Sequence, residues 1–88
     1  MSNQVLVVVP TYNEAENIGA LLSELTEIHP ELEILVVDDN SPDGTAQLVE
    51  KIARNQPRVH LLIRTAKTGL GDAYLAGFNW ALQRNFQV

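Results

Sequence analysis

Several residue types that identify whole classes of proteins are missing from this sequence. Its 88 residues include no cysteine, which excludes disulfides, zinc fingers and thiolate metal sites. Membrane-spanning helices need roughly 20 apolar residues in a row, and no apolar run here approaches that length. Residues 1–4 contain no basic side chain of the kind that opens a signal peptide. These absences favour a small cytoplasmic protein of one domain at most.

Basic residues are scarce and unevenly distributed. Six Lys and Arg face eleven Asp and Glu, which gives a net charge of −5. The chain therefore lacks the overall basic surface of nucleic-acid-binding proteins, and we expect no nucleic-acid partner. Residues 1–50 hold ten of the eleven acids, whereas all six basic residues lie in 51–88. Two interpretations fit this distribution: an acidic surface helix followed by a mildly basic half, or a single site built from both halves. The charge distribution alone favours the first.

Apolar side chains make up 45% of the chain, and their pattern predicts the fold class. Three short runs rich in β-branched residues are typical of strands buried on both faces of a parallel sheet. Three amphipathic patterns with helical spacing lie between and after these runs. The order is therefore β-α-β-α-β-α, an α/β fold. The runs are Val5–Val9, Ile34–Val37 and Val59–Ile63, and the helical patterns cover Ile18–Ile28, Leu48–Ala53 and Leu70–Ala81.

Polar residues cluster at the point where each predicted strand ends. The clusters are Pro10–Glu14, Asp38–Thr45 and Arg64–Gly71. Ligands bind beyond the carboxyl ends of the strands in open α/β sheets, and those ends share one edge of a parallel sheet. We therefore expect all three clusters to converge on one binding site.

The first cluster contains two side chains suited to a nucleotide. Tyr12 offers a flat aromatic face and a hydroxyl group, and the Glu14 carboxylate can accept hydrogen bonds from both hydroxyls of a ribose. Asn13 and Glu14 could instead cap the first helix. The local pattern favours neither interpretation, and a capping residue can also bind a ligand.

The second cluster begins with adjacent carboxylates, Asp38 and Asp39. Neighbouring strand residues point to opposite faces, so the pair is not expected to share a proton. We expect one to turn inward and hold the loop, and Asp39 to face the ligand, where it can accept from the N–H edge of uracil or guanine. Ser41 and Asp43 fit a turn into the second helix, with Ser41 as its N-cap and Pro42 at its first position.

The third cluster is similar to a phosphate-binding helix start. Gly69-Leu70-Gly71 opens the third helix, and Arg64 and Lys67 add positive charge near it. The spacing matches neither a P-loop nor a dinucleotide-binding turn, and ordinary turn geometry explains the glycines equally well. His29 is interpreted as a helix-end residue and His60 as a hydrogen-bonded core histidine. No spacing of His, Asp or Glu suggests a metal site.

At these three clusters the sequence resembles the inverting family-2 glycosyltransferases, which have the GT-A fold, and among them the dolichol- or polyprenol-phosphate mannosyltransferases. The first motif is widespread in the family, the second is narrower in its Ser-Pro-Asp-Gly-Thr form, and the third is the most specific to the mannosyl subgroup. The matching segments are Val8–Ile18, Val36–Thr45 and Arg64–Phe78, and the resemblance covers essentially the whole chain.

The resemblance implies a three-layer αβα, Rossmann-like half of a GT-A fold that binds the nucleotide sugar GDP-mannose. The residues that would line the nucleotide site are Pro10, Tyr12, Glu14, Val37 and Asp39. Of these, Asp39 would read the base. The acceptor in the parent protein would be a dolichyl or polyprenyl phosphate, reached at the cytoplasmic face of a membrane.

Family members also have an Asp-x-Asp motif on the following strand, which binds Mg²⁺ or Mn²⁺ and the diphosphate. This chain stops just before that position, at Val88. We therefore expect residues 1–88 to form the N-terminal, nucleotide-sugar-binding part of a longer catalytic domain. By itself this part is expected to hold no metal ion and to transfer no mannose, and the sequence identifies no catalytic residue in it.

Two other functions stay open on the sequence. A related family-2 transferase could use UDP-glucose or another donor, because uracil and guanine both present an N–H edge. A non-catalytic nucleotide- or phosphate-binding α/β module of receiver or flavodoxin type is the other alternative. It is disfavoured because such modules need acids at the end of strand one, where this chain has Pro10 and Thr11, and an Asp at the end of strand three, where it has Arg64.

The resemblance also predicts the strand order 3-2-1-4, with a fourth strand that begins near Phe86 and is mostly missing. Strand one, Val5–Val9, would then be an apolar edge with unpaired amides, and helix surface around Phe78 and Trp80 would be uncovered. We therefore expect two copies of the chain to associate through strand one or through Phe86–Val88.

Overall fold

The chain alternates strands and helices in the predicted order. The structure, a computed structural model, describes residues 5–65, 70–84 and 86. Its three strands form one parallel sheet in the order β1-β2-β3. The predicted α/β class and the place of strand two beside strand one are confirmed, whereas Gln87 and Val88 of the expected fourth strand lie outside the described residues. The elements are β1 Leu6–Thr11, α1 Ile18–Ile28, β2 Glu33–Asp38, α2 Thr45–Ala53, β3 Val59–Ile63 and α3 Leu70–Gln83.

The central strand β2 separates two apolar layers. All six of its residues are buried, and successive residues point to opposite faces of the sheet. Ile34 and Val36 pack with α1 and α2, and Leu35 and Val37 pack on the side that α3 covers. The continuous apolar run that the sequence shows is therefore buried on both faces, and the predicted three-layer αβα arrangement is confirmed.

Helix α1 follows directly from its sequence. Ile18 and Leu22 lie one turn apart and are buried against the sheet. The helix ends at Ile28, before the proline at position 30, and the backbone N–H of His29 donates to the carbonyl of Leu25. The interpretation of His29 as a helix-end residue is confirmed.

Helix α3 packs closely against β1 at Gly77, where its inner face is built from small residues. Ala73, Gly77 and Ala81 follow one another at four-residue spacing and are all buried. A Cβ atom placed on Gly77 would lie 2.6 Å from Cγ1 of Val8, a distance that real contacts do not reach. Helix α3 also has large apolar side chains that are exposed, namely Tyr74, Leu75, Phe78 and Leu82. The expected uncovered surface is present at Phe78, whereas Trp80 is partly buried against the core.

A charged and aromatic cluster closes the opposite end of the sheet, where the strands begin. The Glu33 carboxylate lies 2.7 Å from Nε2 of His60 and accepts a hydrogen bond of 2.9 Å from Nη1 of Arg58. The His60 ring also packs against Trp80 and Phe86. His60 is therefore hydrogen-bonded, as the sequence predicts, but it is partly exposed and not a core residue, and it lies away from the carboxyl ends of the strands.

Candidate functional site

The carboxyl ends of the three strands meet at one edge of the sheet. The first loop (residues 12–17) follows β1, and the second loop (residues 39–44) follows β2. Their starts are joined by a hydrogen bond of 3.1 Å from the N–H of Asp39 to the carbonyl of Thr11. The N–H of Arg64, which follows β3, donates to the carbonyl of Asp38 at 2.8 Å. The convergence predicted for the first two clusters and for Arg64 is confirmed, while Lys67 lies outside the described residues.

Asp38 turns inward and holds the ends of β1 and β2 together. The side chain is completely buried. Its Oδ1 accepts hydrogen bonds from the hydroxyls of Thr11 at 2.7 Å and Ser41 at 2.6 Å, and its Oδ2 accepts from the N–H of Ser41 at 2.8 Å. These bonds compensate the cost of burying a charge, so Asp38 has a supporting role rather than a binding one.

Asp39 points the other way, toward β3. Its Oδ1 lies 3.4 Å from Nη1 of Arg64, and both side chains are mostly buried. The prediction that the two adjacent carboxylates separate to opposite sides is confirmed. Asp39 and Arg64 therefore form a buried ion pair beside the second loop, at the edge where the nucleotide was expected.

The backbone of the first loop is bound by three side chains, two from the second loop and one from Thr45, the first residue of α2. Each accepts a hydrogen bond from one of three consecutive backbone amides, which are 28 to 31 positions away in the sequence. The bonds are from Asn13 N–H to Ser41 Oγ at 2.9 Å, from Glu14 N–H to Thr45 Oγ1 at 3.0 Å, and from Ala15 N–H to Asp43 Oδ2 at 3.0 Å. We call this set of three hydrogen bonds the loop clasp.

The sequence prediction for the start of α2 is wrong. Helix α2 begins at Thr45, its N-cap is Gly44, and Ser41 and Pro42 precede it. Ser41 is not available as a cap because both its N–H and its hydroxyl donate to Asp38. The chain instead turns at Gly44, whose φ of 89° is readily adopted by glycine. The predicted turn at Asp43 is confirmed, since Oδ1 of Asp43 accepts from the N–H of Thr45 at 3.1 Å.

The alternative that Asn13 and Glu14 cap α1 with their side chains is also wrong. The N-cap residue is Asn17, and no side chain caps the helix. Only the Glu14 carbonyl contributes, by accepting from the N–H groups of Asn17 at 3.0 Å and Ile18 at 2.8 Å. Tyr12 is 39% exposed and Glu14 is exposed. Both therefore have surface for a ligand at this edge, and their predicted binding roles stay predictions.

The other two predicted site residues are neighbours in the sheet. Pro10 pairs with Val37 across β1 and β2. Pro10 and Glu14 line a cavity of about 250 Å³ that also includes Asn17 and Leu21. The side chain of Val37 is fully buried in the core on the α3 side. It therefore packs beneath the site and has no exposed surface for a ligand.

Sequence reasoning placed Ser41 and Asp43 in a local turn and did not identify their contacts with the first loop. It assigned no role to Thr45, which is fully buried and bonded to the Glu14 N–H. The one feature of the sequence that could have indicated these contacts is the spacing Ser41-x-Asp43-x-Thr45, which places an acceptor side chain at every second position. Their partners depend on the pairing of β1 with β2.

The pKa of Asp43 is lowered from its ordinary value of 3.8. The main cause is the hydrogen bond from the Thr45 side chain, and the backbone bonds from Ala15 and Thr45 act in the same direction. Because the folded pKa is below the unfolded one, the stabilisation by the carboxylate is present above the unfolded pKa and is lost as the pH falls through the folded pKa.

We expect the Ala15 amide to report this titration. In a pH series of ¹⁵N–¹H NMR spectra, its chemical shift should change with a midpoint below pH 3.8, because the pKa of its acceptor, the Asp43 carboxylate, is lowered. Asp43→Asn should remove the transition. A midpoint for the Ala15 amide at or above pH 3.8 in the folded wild-type chain would contradict the assignment.

Neither a metal centre nor a membrane span is found in the part of the chain that the structure describes. Among residues 5–65, 70–84 and 86, no group of three or more His, Asp or Glu side chains could hold a metal ion. Within the same ranges, every helix is too short or too polar to cross a bilayer.

The arrangement defines an α/β domain with a polar site at the carboxyl edge of its sheet, and comparison with known proteins identifies the family. The model of the glycosyl transferase family 2 matches residues 6–85. The chain belongs to this family.

Similar proteins of this family are mannosyltransferases. The chain is 49% identical to a polyprenol monophosphomannose synthase of Mycolicibacterium smegmatis over 99% of its length, and 49% identical to an undecaprenyl-phosphate mannosyltransferase of Micrococcus luteus over 97%. It covers 33% and 35% of these proteins, so it spans about a third of their length. Among solved structures, the mannosyltransferase PcManGT of Pyrobaculum calidifontis, in complex with GDP-Man and Mn²⁺, is 34% identical with a TM-score of 0.80. That match covers 92% of this chain and 25% of PcManGT, and it confirms the predicted fold.

Proposed function

We propose that this chain forms the N-terminal, donor-binding part of a transferase that moves mannose from GDP-mannose to a polyprenyl or dolichyl phosphate. The observation that supports this most directly is its likeness to PcManGT, which was solved with GDP-Man. The names of the two bacterial relatives support the polyprenyl phosphate acceptor. An acceptor of this kind favours a location at the cytoplasmic face of a membrane.

In this proposal Asp39 binds the base. Guanine presents two parallel N–H donors, N1–H and an N2–H, which match the two oxygens of a carboxylate, whereas uracil presents only N3–H. Asp39 Oδ1 is buried and lies 3.4 Å from Arg64 Nη1, beyond the distance of a good hydrogen bond. Of the two bases, guanine would form the larger number of hydrogen bonds to this carboxylate, so we expect GDP to bind more tightly than UDP.

Tyr12 and Glu14 bind the nucleoside in this proposal. The Tyr12 ring is partly exposed and can pack against a base or ribose face. The Glu14 carboxylate lies at the cavity beside β1 and can accept hydrogen bonds from ribose hydroxyls. Pro10 lines the same cavity.

The transfer itself is a direct displacement at the anomeric carbon. An oxygen of the acceptor phosphate forms the new bond to C1 of mannose, the bond from C1 to the diphosphate breaks, and its electron pair leaves with GDP. A divalent cation would stabilise the charge on the leaving diphosphate. The described residues offer no cluster that could hold such a cation, so we assign none of them to it. The part played by the 88-residue chain is to bind and orient the donor.

Nucleotide titration of the ¹⁵N-labelled chain tests donor binding. We expect GDP to shift the amide signals of the first and second loops and to bind more tightly than UDP. Asp39→Asn should weaken GDP binding by about 10- to 100-fold, because a buried, charge-assisted hydrogen bond is worth about 1.5–3 kcal/mol. The control is Glu50→Gln, which removes one negative charge from an exposed position of α2. Shifts confined to the opposite edge of the sheet, or equal GDP affinity in Asp39→Asn, would contradict the assignment.

A chimera tests the transfer. The 88 residues would replace the matching third of the Mycolicibacterium smegmatis synthase, to which they are 49% identical. We expect the chimera to transfer mannose from GDP-mannose to polyprenyl phosphate when Mg²⁺ or Mn²⁺ is present, and the 88-residue chain alone to transfer none. Transfer by the short chain would mean that the catalytic residues lie within it.

We also propose that the 88-residue chain associates with a second copy through β1. In the described part of the chain β1 has a neighbour, β2, on one side only. The carbonyls of Val5 and Thr11 accept from the N–H groups of Glu33 and Asp39, so the alternate residues Leu6, Val8 and Pro10 direct their backbone groups away from β2. Since the strand has no charged side chain and Pro10 lies only near its end, little prevents another strand from pairing there.

A further inference from the structure

We propose that Ser41, Asp43 and Thr45 are positioning residues for donor binding. Through the loop clasp their side chains hold the backbone of the first loop, and so place Tyr12 and Glu14 against the nucleotide. The proposal rests on the proposed function for the identity of the ligand. It adds that the affinity for the donor depends on three side chains that themselves need not contact it.

The direction of the hydrogen bonds supports this role. A hydroxyl group has one hydrogen to donate and lone pairs with which to accept. The hydroxyl of Thr45 donates to Asp43, so its lone pairs are available for the N–H of Glu14 at 3.0 Å. In the same way Ser41 donates to Asp38 at 2.6 Å and accepts from the N–H of Asn13 at 2.9 Å. Each carboxylate therefore orients a hydroxyl toward the first loop.

The first loop depends on these bonds for its conformation. Asn13 has a φ of 58°, in the left-handed region, which few residues besides glycine, asparagine and aspartate adopt. The N-terminus of α1 has no side-chain cap that would fix the loop from its other end. The loop clasp accepts hydrogen bonds from the consecutive N–H groups of Asn13, Glu14 and Ala15, which lie between the last residue of β1 and the first residue of α1.

A loop that is ordered before the ligand arrives binds more tightly than one that must be ordered on binding. Removing one bond of the clasp should therefore lower the affinity for GDP while the fold persists. Asp43 and Thr45 provide complementary tests. Asp43 lies at the surface and can be changed without disturbing the core, and Thr45 is buried with a hydroxyl that valine replaces at nearly equal volume.

The experiment compares GDP affinity in four variants of the 88-residue chain by ¹⁵N–¹H NMR titration. We expect Thr45→Val and Asp43→Asn to weaken GDP binding by about tenfold, the effect of one hydrogen bond, and to shift the free-state signals of Glu14 and Ala15. Thr45→Ser keeps the hydroxyl and should bind within about twofold of the wild type. Glu50→Gln, which removes a charge elsewhere on α2, should bind like the wild type.

The outcomes separate this proposal from the proposed function. If the wild-type chain does not bind GDP, the proposed function fails and there is no donor to position. If the wild type binds GDP and Thr45→Val and Asp43→Asn bind it equally well, the positioning role alone is overturned. Affinity as low in Thr45→Ser as in Thr45→Val would also overturn it, because packing rather than the hydroxyl would then be responsible. If Thr45→Val does not fold, Asp43→Asn decides the question.

Discussion

Replacing Asp38 by alanine should destabilise the chain by about 3 kcal/mol or more. Asp38 is fully buried and accepts hydrogen bonds from the hydroxyls of Thr11 and Ser41 and from the N–H of Ser41. Alanine leaves these donors without their acceptor in a buried place, and each such group costs about 1–3 kcal/mol. Because a chain of this length has a total stability of roughly 4–13 kcal/mol, the loss should be a large fraction of it.

Urea unfolding followed by far-UV circular dichroism and by the fluorescence of the single tryptophan measures this loss. Asp38→Asn keeps an oxygen acceptor and should cost less than Asp38→Ala. The exposed Glu50→Ala on α2 is the control and should change the free energy of unfolding by no more than about 0.5 kcal/mol. A value for Asp38→Ala within 1 kcal/mol of the wild type would contradict the supporting role of this carboxylate.

The second large effect concerns the molecular mass in solution. We expect light scattering at micromolar concentration to give twice the mass of one chain, because β1 has an unpaired apolar edge. The exposed large apolar side chains of α3, among them Phe78, give further reason for association. A monomeric mass at these concentrations would contradict the proposal.

Matched charge substitutions identify the strand that pairs. Val5 is 43% exposed at the start of the β1 edge, and Ile63 is 50% exposed at the end of β3, the other outer strand. Lysine at an edge opposes strand pairing, so Val5→Lys should give monomers while Ile63→Lys leaves the dimer intact. The reverse result would place the contact at β3 and not at β1.

The elements and their order could be predicted from the sequence because they depend on local patterns. Val59–Ile63 and Ile18–Ile28 have in the structure the bounds that the apolar pattern indicates. The separation of Asp38 from Asp39 was also predictable, since successive residues of a strand alternate between faces. The meeting of the two loops at one edge followed from the parallel direction of β1 and β2.

The details within the site were not predictable because they depend on contacts between distant residues. Ser41 has the local signature of a helix cap, yet its N–H and its hydroxyl both donate hydrogen bonds to Asp38, and α2 starts at Thr45. No pattern near Thr45 indicates that its hydroxyl accepts from an amide 31 residues earlier.

The sequence by itself therefore determined the α/β class, the order of the elements, and the edge of the sheet that forms the site. The reason is that hydrophobic periodicity decides which residues are buried, and parallel strands place their carboxyl ends together. Only the tertiary structure decided how the two loops hold each other. The pairing of Thr11 with Asp38 in the sheet brings the acceptor side chains of the second loop and of Thr45 within hydrogen-bond distance of the amides of the first loop, and that register is a property of the folded sheet.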